Sequence, residues 1–425
     1  MRVLVVAHGH PDFGPGGGEL AAHTLFEGLK AHPDVSQARF LARTGEPRLP
    51  SGAVGRLRPG EHLIRRDIAD WPRLEACPDA PPPGRGLADF LSDAAPDVVF
   101  LHHVVHLGLE IVDDIRSTLP DARIVLTLHD YLAICRNEGL MVTRPPGPDP
   151  APLSGTLCRE SGIDACGRCF PEGAPLIHTE RRERFRRAFA QIDAFVAPSA
   201  FLAERYVRWG IEPERIHVIA NGTHAPGRPV APPSFGATLR LGFFGQARPS
   251  KGLHVALAAL HHLEPSVRAR ISLDLNVSRL EAQDAWYRTL VERLAAPLVQ
   301  DGSLRWRGAF ARNDLSDRMA SVDAVLVPST WWENAPLVIG EAFAHGRPVL
   351  GSRLGGIAEA VRDGIDGCLF TPGDARELSG LLARLSEEAV TGRAIAAGVR
   401  APATVAQSSD AHLALARSIG AGLHV

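Results

Sequence analysis

The sequence predicts an α/β protein with two doubly wound, Rossmann-like domains that face each other across a cleft. Short apolar runs alternate with helical stretches in both halves of the chain, which is typical of parallel sheets with right-handed crossovers. The chain has 425 residues, more than one ordinary hydrophobic core holds. Residues 225–238 are rich in proline and glycine and predict an interdomain linker. Because such sheets bind ligands beyond the carboxyl ends of their strands, we expect the ligand in the cleft.

Five apolar runs predict the sheet of the N-terminal domain, residues 1–224. They lie at residues 3–7, 98–101, 124–128, 193–197 and 217–220. A helix is predicted over residues 19–30. Residues 46–86 are rich in proline, glycine and arginine and predict a loop, and residues 136–175 form a proline-rich part of a cysteine-rich insertion over residues 135–175.

Five further runs predict the sheet of the C-terminal domain, residues 239–400. They lie at residues 239–244, 271–275, 304–307, 324–327 and 348–351.

The composition excludes several classes of protein. Hydrophobic residues make up 45% of the chain and charged residues 22%, which is typical of a globular protein. The net charge of -2 provides no field that would attract nucleic acid. The first apolar run ends at His8, which indicates a buried strand and not a signal peptide, and no window predicts a transmembrane helix. We therefore expect a cytoplasmic protein with reduced cysteines.

A glycine-rich loop lies between the first predicted strand and helix. Its residues 14–19 include Gly17 and Gly18, which would let the backbone approach an anion at the helix N-terminus. The loop loosely fits a dinucleotide fingerprint. However, residues 8–15 place the glycines far beyond the strand, and residues 39–42 are followed by no ribose-binding acid. An ordinary flexible turn remains the alternative.

Two cations flank a turn after the first strand of the C-terminal domain. Arg248 and Lys251 at the mouth of the cleft would balance the charge of a departing pyrophosphate. Two solvated loop cations are the alternative.

The segment 331–341 combines two tryptophans, two acids and a proline at the start of a predicted helix. Pro336 suits the first helical position, which leaves the amides of Leu337 and Val338 available to phosphate or sugar oxygens. Glu333 lies before the helix and Glu341 about two turns into it, so the two carboxylates could hold the hydroxyls of a sugar and a ribose. A surface helix with two solvated acids is the alternative.

Histidines follow two predicted strands. His129 comes directly after residues 124–128 and would face the cleft, where it could bond a sugar or the reacting oxygen. His102, His103 and His106 follow the preceding strand and either line the acceptor side or are packed structural residues.

Together these segments resemble the retaining glycosyltransferases of family 4, which have the GT-B architecture. The likeness covers most of the chain and is strongest over residues 241–374. The matching stretches are residues 16–19, 218–222, 347–352, 355–359 and 370–374, and the pair Glu333 and Glu341. One departure is Ala335-Pro336, where relatives often have a more flexible Phe-Gly type of sequence.

The resemblance implies a role for each site residue. Arg248 and Lys251 would hold the donor diphosphate, Glu341 the ribose, and Glu333 the donor sugar, with the Leu337 and Val338 amides nearby. Gly17 and Gly18 would border the diphosphate, and His129 would lie against the donor sugar. A final helix over residues 401–425 would pack back on the N-terminal domain.

The resemblance also implies a chemistry. The enzyme would transfer a sugar from a nucleotide-diphosphate sugar, a UDP- or GDP-sugar, with retention of configuration. The departing phosphate would take the acceptor proton, and no catalytic metal is expected. The acceptor would be a glycan, a lipid-linked glycan or a small natural product. An epimerase or phosphorylase on the same frame, or a non-catalytic binding protein held by a metal, remains open. A nicotinamide-dependent oxidoreductase is disfavoured by the glycine spacing.

Four cysteines predict a structural metal site. Cys135, Cys158, Cys166 and Cys169 have the spacing of a tetrahedral thiolate site, which favours zinc, with an iron–sulfur cluster as the alternative. The alternative is that the four cysteines are unrelated buried or reduced thiols.

A basic helix is predicted around five arginines, Arg181, Arg182, Arg184, Arg186 and Arg187. It either makes a weak peripheral contact with the inner face of a membrane or packs an apolar stripe into the core and leaves the arginines solvated. The low net charge favours packing.

Overall fold

The computed structural model describes residues 1–14, 16–78, 85–137, 139–141, 157–159 and 161–421. Most of the predicted insertion before Cys158 lies outside these residues. The chain divides into two compact units. The first includes the N-terminal residues, Cys158–Gly222 and the residues from Ala403 onward, and the second includes Thr223–Pro402. No helix in the described ranges is both long enough and apolar enough to cross a membrane.

The described part of the first unit contains ten strands. They are β1 (Arg2–Ala7), β2 (Gln37–Thr44), β3 (Val54–Arg58), β4 (Glu61–Arg65), β5 (Ile68–Asp70), β6 (Glu75–Ala76), β7 (Val98–His102), β8 (Arg123–Thr127), β9 (Ala194–Ala197) and β10 (Ile216–Val218). Eight of them form one sheet in the order β10-β9-β8-β7-β1-β2-β4-β3, and β5 pairs with β6. Every pairing in the large sheet is parallel except that of β3 with β4.

Six helices accompany these strands in the described ranges before the second unit begins. They are α1 (Gly17–Ala31), α2 (Leu87–Ala94), α3 (Glu110–Thr118), α4 (Ile163–Cys169), α5 (Ala174–Ala190) and α6 (Ala200–Trp209). Apolar residues of β1, such as Val3 and Val5, are buried against those of α1, such as Ala22 and Leu25. This burial explains why the central strands read as continuous apolar runs.

The expectation that residues 46–86 form a loop is wrong for β3 to β6. The β3–β4 hairpin turns at Gly60, whose φ of +83° suits glycine, and β4 then pairs with β2. β3 is the edge strand of the sheet, and neither β3 nor β4 carries a continuous apolar run, because arginines and other polar residues interrupt both strands.

The second unit contains six strands and eight helices. The strands are β11 (Leu239–Gln246), β12 (Ile271–Ser278), β13 (Leu304–Trp306), β14 (Ala324–Val327), β15 (Val349–Ser352) and β16 (Gly367–Phe370). The helices are α7 (Leu253–His261), α8 (Pro265–Arg268), α9 (Ala285–Gln300), α10 (Leu315–Ala320), α11 (Leu337–Ala344), α12 (Gly355–Ala360), α13 (Ala375–Glu387) and α14 (Ala389–Ala397). The sheet is parallel, in the order β13-β12-β11-β14-β15-β16.

The last helix, α15 (Val405–Ala421), belongs to the first unit. Its residues Leu413 and Ala416 are buried in the core that contains Ala22 and Leu25 of α1. The first unit is therefore completed by a segment that follows the whole second unit in sequence.

Candidate functional site

The second unit brings a cation and a carboxylate together beyond the carboxyl ends of two neighbouring strands. Lys251 ends a 3₁₀ turn after β11, and Glu333 lies on the loop after β14. The Lys251 Nζ donates to Glu333 Oε1 at 2.7 Å, and Ser329 Oγ donates to the same oxygen at 2.6 Å. Lys251 Nζ also lies 5.4 Å from the centroid of a Trp331 ring. β11 and β14 meet where the strand order reverses, the position at which open α/β sheets bind ligands.

Two glycines allow the loops of this site to approach each other. Gly252 has a φ of +73°, and a Cβ atom there would lie 1.8 Å from the carbonyl oxygen of Pro328. A Cβ atom on Gly356 would lie 1.5 Å from the carbonyl oxygen of Asn334, and the Gly356 amide donates to the Glu333 carbonyl at 2.8 Å. A side chain at either position would push apart the backbone segments that hold Lys251 and Glu333.

The other predicted donor-binding groups of this unit lie on the same loops. Arg248 is exposed, and its carbonyl accepts from the Lys251 amide at 3.0 Å, so both cations belong to one turn. Leu337 and Val338 are the first two residues of α11, where no earlier helical carbonyl accepts from their amides. Pro336 has a ψ of 118° and is the N-cap, not the first helical residue as predicted.

Glu341 lies within α11 as predicted. Burial raises the pKa of its carboxyl above the ordinary value, and the charge of Arg312 opposes that effect. Within the described ranges no hydrogen bond or ion pair joins the Glu341 carboxylate to Lys251 or Glu333. The structure therefore joins Lys251 to Glu333 and leaves Glu341 as a separate acidic group on the helix.

In the first unit, two predicted glycines begin α1. A Cβ atom on Gly17 would meet nothing within 4 Å, whereas one on Gly18 would lie 2.9 Å from His8 Cε1 and 3.6 Å from His129 Cγ. Gly18 thus permits the close approach of two histidine rings, and Gly17 leaves open space at the helix N-terminus. An anion could lie there against the first amides of the helix.

Glu19 pairs with His8 at the same helix start. The two side chains are 3.1 Å apart, between His8 Nε2 and Glu19 Oε1, and both are largely buried. Burial alone would raise the pKa of Glu19, but the hydrogen bond and charge of His8 outweigh it and lower this pKa to about 2. The carboxylate is therefore ionised at every physiological pH.

A histidine cluster lies at the carboxyl ends of β1, β7 and β8. Its members are His8, His102, His103, His106 and His129. His102 Nδ1 and His129 Nε2 share a hydrogen bond of 2.9 Å. Burial lowers the pKa of His129 to about 3, helped by the charges of His103 and His8, so the ring is neutral near pH 7. A neutral imidazole can donate to or accept from a sugar hydroxyl.

His103 orients a neighbouring acid. Its Nδ1 accepts from the amides of Val104 and Val105, so its Nε2 carries the proton that it donates to Asp130 Oδ2 at 2.7 Å. The φ of +72° at His103 is rare for a residue other than glycine and is held by these bonds. Asp130 therefore accepts one hydrogen bond from His103 in the cluster and another from the amide of Leu132.

Sequence reasoning missed His8 and Glu19 as members of this group. A usable signal existed, because His8, His103 and His129 each follow one of three adjacent parallel strands, whose carboxyl ends meet at one sheet edge. The order of those strands was not readable from the chain.

The four cysteines lie in the first unit, with Cys166 and Cys169 on α4. Burial raises the pKa of Cys135 to about 11, with smaller contributions from Cys166 and Cys158. Among the residues that the structure describes, no three of these sulfur atoms lie within 4.8 Å of one another. Donor atoms of His10, His23 and Glu61, by contrast, do lie within that distance of one another.

The basic helix is α5, and several of its arginines have partners inside the first unit. Arg181 is buried and donates to two carbonyls, Arg184 pairs with Glu110, and Arg182 lies over Trp209. These contacts favour the packed helix over the membrane-facing one.

Two family models match the chain. The model for glycosyl transferases group 1 matches residues 238–388, and the model for glycosyltransferase family 4 matches residues 15–225. Among similar curated proteins, a D-inositol 3-phosphate glycosyltransferase of Streptomyces bingchenggensis is 31% identical over 220 residues, 46% of this chain and 48% of its own. An amylovoran biosynthesis glycosyltransferase of Erwinia amylovora is 27% identical over 221 residues, 49% of this chain and 51% of its own. The chain spans about half the length of the curated relatives it matches.

Solved structures resemble the whole chain. The Anabaena HepE protein in complex with UDP has a TM-score of 0.66 at 19% identity and covers 98% of this chain and 100% of its own. Sucrose-phosphate synthase from Thermosynechococcus elongatus has a TM-score of 0.69 at 17% identity, over 99% of this chain and 100% of its own. At these identities the likeness shows the fold. The two family models show that the chain belongs to the family 4 glycosyltransferases, and the solved structures show that its two units have the GT-B architecture.

Proposed function

We propose that the protein transfers a sugar from a nucleotide-diphosphate sugar to a hydroxyl acceptor with retention of configuration. The observation that carries this proposal is the Lys251–Glu333 pair at the switch point of the second sheet. A cation fixed at a strand end, with a second cation at Arg248 in the same turn, suits a diphosphate leaving group.

The Lys251 ammonium has three protons, and one is donated to Glu333. The other two are available to the oxygens of a diphosphate, and Arg248 adds an exposed guanidinium. As the bond to the sugar breaks, negative charge grows on the β-phosphate, and these cations stabilise it. No divalent ion is required for that step if both cations contact the phosphates.

The acids and amides would bind the rest of the donor. Glu333 Oε1 already accepts two hydrogen bonds, which leaves Oε2 as the oxygen that would accept from a donor sugar hydroxyl. Glu341 would accept from the ribose, and the hydroxyl donors would stabilise its carboxylate against the burial that raises its pKa. The amides of Leu337 and Val338 would donate to phosphate or sugar oxygens.

The first unit would supply the remaining contacts. Gly17 and Gly18 would border the diphosphate at the start of α1, and neutral His129 would bond the donor sugar. The departing phosphate oxygen takes the acceptor proton on the face from which it leaves, so retention needs no protein base.

The relatives support a choice of donor and acceptor class. The Anabaena protein has been solved with UDP and with UDP-glucose, which supports a UDP-sugar before a GDP-sugar. The curated relatives are named for D-inositol 3-phosphate and for amylovoran biosynthesis, which supports a phosphorylated polyol or a growing glycan as acceptor.

Nucleotide release tests the proposal. Uridine, guanosine, adenosine and thymidine diphosphate sugars are each assayed with and without polyol and glycan acceptors. Acceptor-dependent release of one nucleotide supports transfer. Donor conversion that needs no acceptor would favour an epimerase, and binding without turnover would favour a non-catalytic protein.

Variants test the site itself. Lys251→Ala and Glu333→Gln should each lower kcat/KM by about 100- to 1,000-fold, because each removes a group that faces developing charge or the donor sugar. Lys30→Ala and Glu292→Gln are matched controls on exposed helix positions. Unchanged transfer in both site variants would remove the assignment.

A structural metal at Cys135, Cys158, Cys166 and Cys169 is a separate proposal, with zinc preferred over an iron–sulfur cluster. It rests on the ligand spacing and requires the sulfur atoms to converge further than they do here. Cys166→Ser should lower the metal content and the Tm, and unchanged values would end the proposal.

A further inference from the structure

Two histidines and a glutamate converge inside the first unit, apart from the cysteines. His10 lies on the loop after β1, His23 lies in α1, and Glu61 begins β4. One donor atom from each lies within 4.8 Å of the others. Three elements that are distant in sequence therefore bring nitrogen and oxygen donors to one point.

The distances between these donors suit a shared ion. His10 Nε2 is 2.9 Å from Glu61 Oε2, and His23 Nε2 is 3.5 Å from the same oxygen. Ligands of a tetrahedral zinc ion, at bonds of about 2.0–2.1 Å, lie about 3.3 Å from each other. Small side-chain shifts would therefore give all three donors a common ion.

The group is largely buried and incompletely bonded. The side chains of His10, Glu61 and His23 are 0%, 8% and 13% exposed. The buried His23 Nε2 has no hydrogen-bond partner of regular geometry among the described residues. A buried ring nitrogen aimed at a carboxylate without a good bond is a group that a metal ion would satisfy.

The charges around the group are unbalanced in favour of a cation. The carboxylates of Asp12 and Glu27 add to that of Glu61 within the group. Among the described residues one guanidinium opposes them, that of Arg58, whose Nη2 lies 3.4 Å from His10 Nε2. With neutral histidines the local charge is two negative, which a divalent ion would cancel.

Outer contacts would orient the ligands. Arg58 Nε donates to Glu61 Oε1 at 2.8 Å, which leaves Oε2 facing the histidines. His10 Nδ1 lies 3.2 Å from the Asp12 amide and 3.7 Å from Asp12 Oδ2. The Asp12 amide donates to Nδ1, so the ring proton lies on Nε2, towards Glu61. An ion on Nε2 would require that proton to lie on Nδ1 instead, where the Asp12 carboxylate would replace the Asp12 amide as the partner.

We propose that His10, His23 and Glu61 bind one divalent transition-metal ion of the zinc class. Two imidazoles select such ions over magnesium and calcium, which prefer oxygen ligands. The ion would tie the loop after β1 to α1 and β4, and so would fix the loop that leads to Gly17 and Gly18. This inference stands on the geometry of the three side chains and does not depend on the proposed transfer reaction.

Cobalt titration of the whole chain tests the site. The protein carries Cys166→Ser and Cys169→Ser so that thiolates do not compete, and Co²⁺ binding is followed by visible absorption and calorimetry. We expect one ion with the weak bands of nitrogen and oxygen ligands and without a sulfur charge-transfer band. We also expect Zn²⁺ to displace the cobalt and to raise the Tm.

Substitutions then locate the ion. His23→Ala and Glu61→Gln should each weaken binding by about 100-fold or more, since each removes a direct ligand. His178→Ala, the same change on α5, is the matched control and should bind like the parent. Circular dichroism of the metal-free proteins checks that each variant is folded. If His23→Ala unfolds, Glu61→Gln still tests the site, because glutamine has nearly the same shape as glutamate.

Three results would overturn the inference. These are no cobalt binding by the folded parent, equal binding by His23→Ala or by Glu61→Gln, and an equal loss in His178→Ala. Because the readout is metal binding, a failure here is independent of any failure in sugar transfer.

Discussion

The His8–Glu19 pair gives the first unit a pH-dependent stability that one substitution should remove. The Glu19 pKa falls from its ordinary value of 4.5 to about 2 in the folded protein. Its carboxylate therefore contributes stability that is fully present above pH 4.5 and is lost as the pH falls through 2. At 1.36 kcal/mol for each pKa unit, the contribution is about 3 kcal/mol at pH 6 and about 1 kcal/mol at pH 3.

Urea unfolding of the parent and Glu19→Gln between pH 3 and pH 6 measures this contribution. The difference in unfolding free energy between the two proteins should shrink by about 2 kcal/mol over that range, because other carboxylates titrate equally in both. Glu214→Gln, an exposed acid in the same unit, should show no such change. A constant difference between the parent and Glu19→Gln would refute the reasoning.

Further substitutions test packing in both units. Gly252→Ala should destabilise the second unit by at least about 2 kcal/mol, because its φ is positive and its Cβ would meet the Pro328 carbonyl, and thermal unfolding would detect this. Gly380 lies on an exposed face of α13, and a Cβ atom there would meet nothing within 4 Å, so Gly380→Ala should instead stabilise the second unit by about 0.5–1 kcal/mol. Equal changes in stability for Gly252→Ala and Gly380→Ala would contradict the backbone strain inferred at Gly252. Arg181→Ala should cost about 2–3 kcal/mol, since two carbonyls lose a charged donor, whereas Arg186→Ala should change unfolding free energy by less than about 0.5 kcal/mol.

The central strands of both sheets were predictable because burial on two faces gives an uninterrupted apolar run. β1, β7, β8, β11 and β14 all have this character. The edge strand β3 and its neighbour β4 were missed because arginines and other polar residues break their apolar pattern. The local sequence therefore predicted the strands that are buried on both faces. It did not predict the strands whose formation depends on pairing with residues distant in the chain.

The candidate site was predictable to the extent that its residues lie on one loop or one helix start. Lys251, Glu333 and the start of α11 follow strands that the sequence marks clearly. The His8–Glu19 pair and the group of His10, His23 and Glu61 were not predicted, because each depends on strand order and on how α1 lies over the sheet. The cysteine spacing suggested a metal, yet a different set of side chains converges more closely.

The position of α15 has a consequence for biosynthesis. Its apolar residues Leu413 and Ala416 fill the core beside α1, so the N-terminal sheet leaves the ribosome long before the helix that covers it is made. The second unit, by contrast, is almost continuous in sequence and can reach its native state during translation. A nascent chain stalled before residue 403 should therefore expose the uncovered face of α1 to chaperones and proteases.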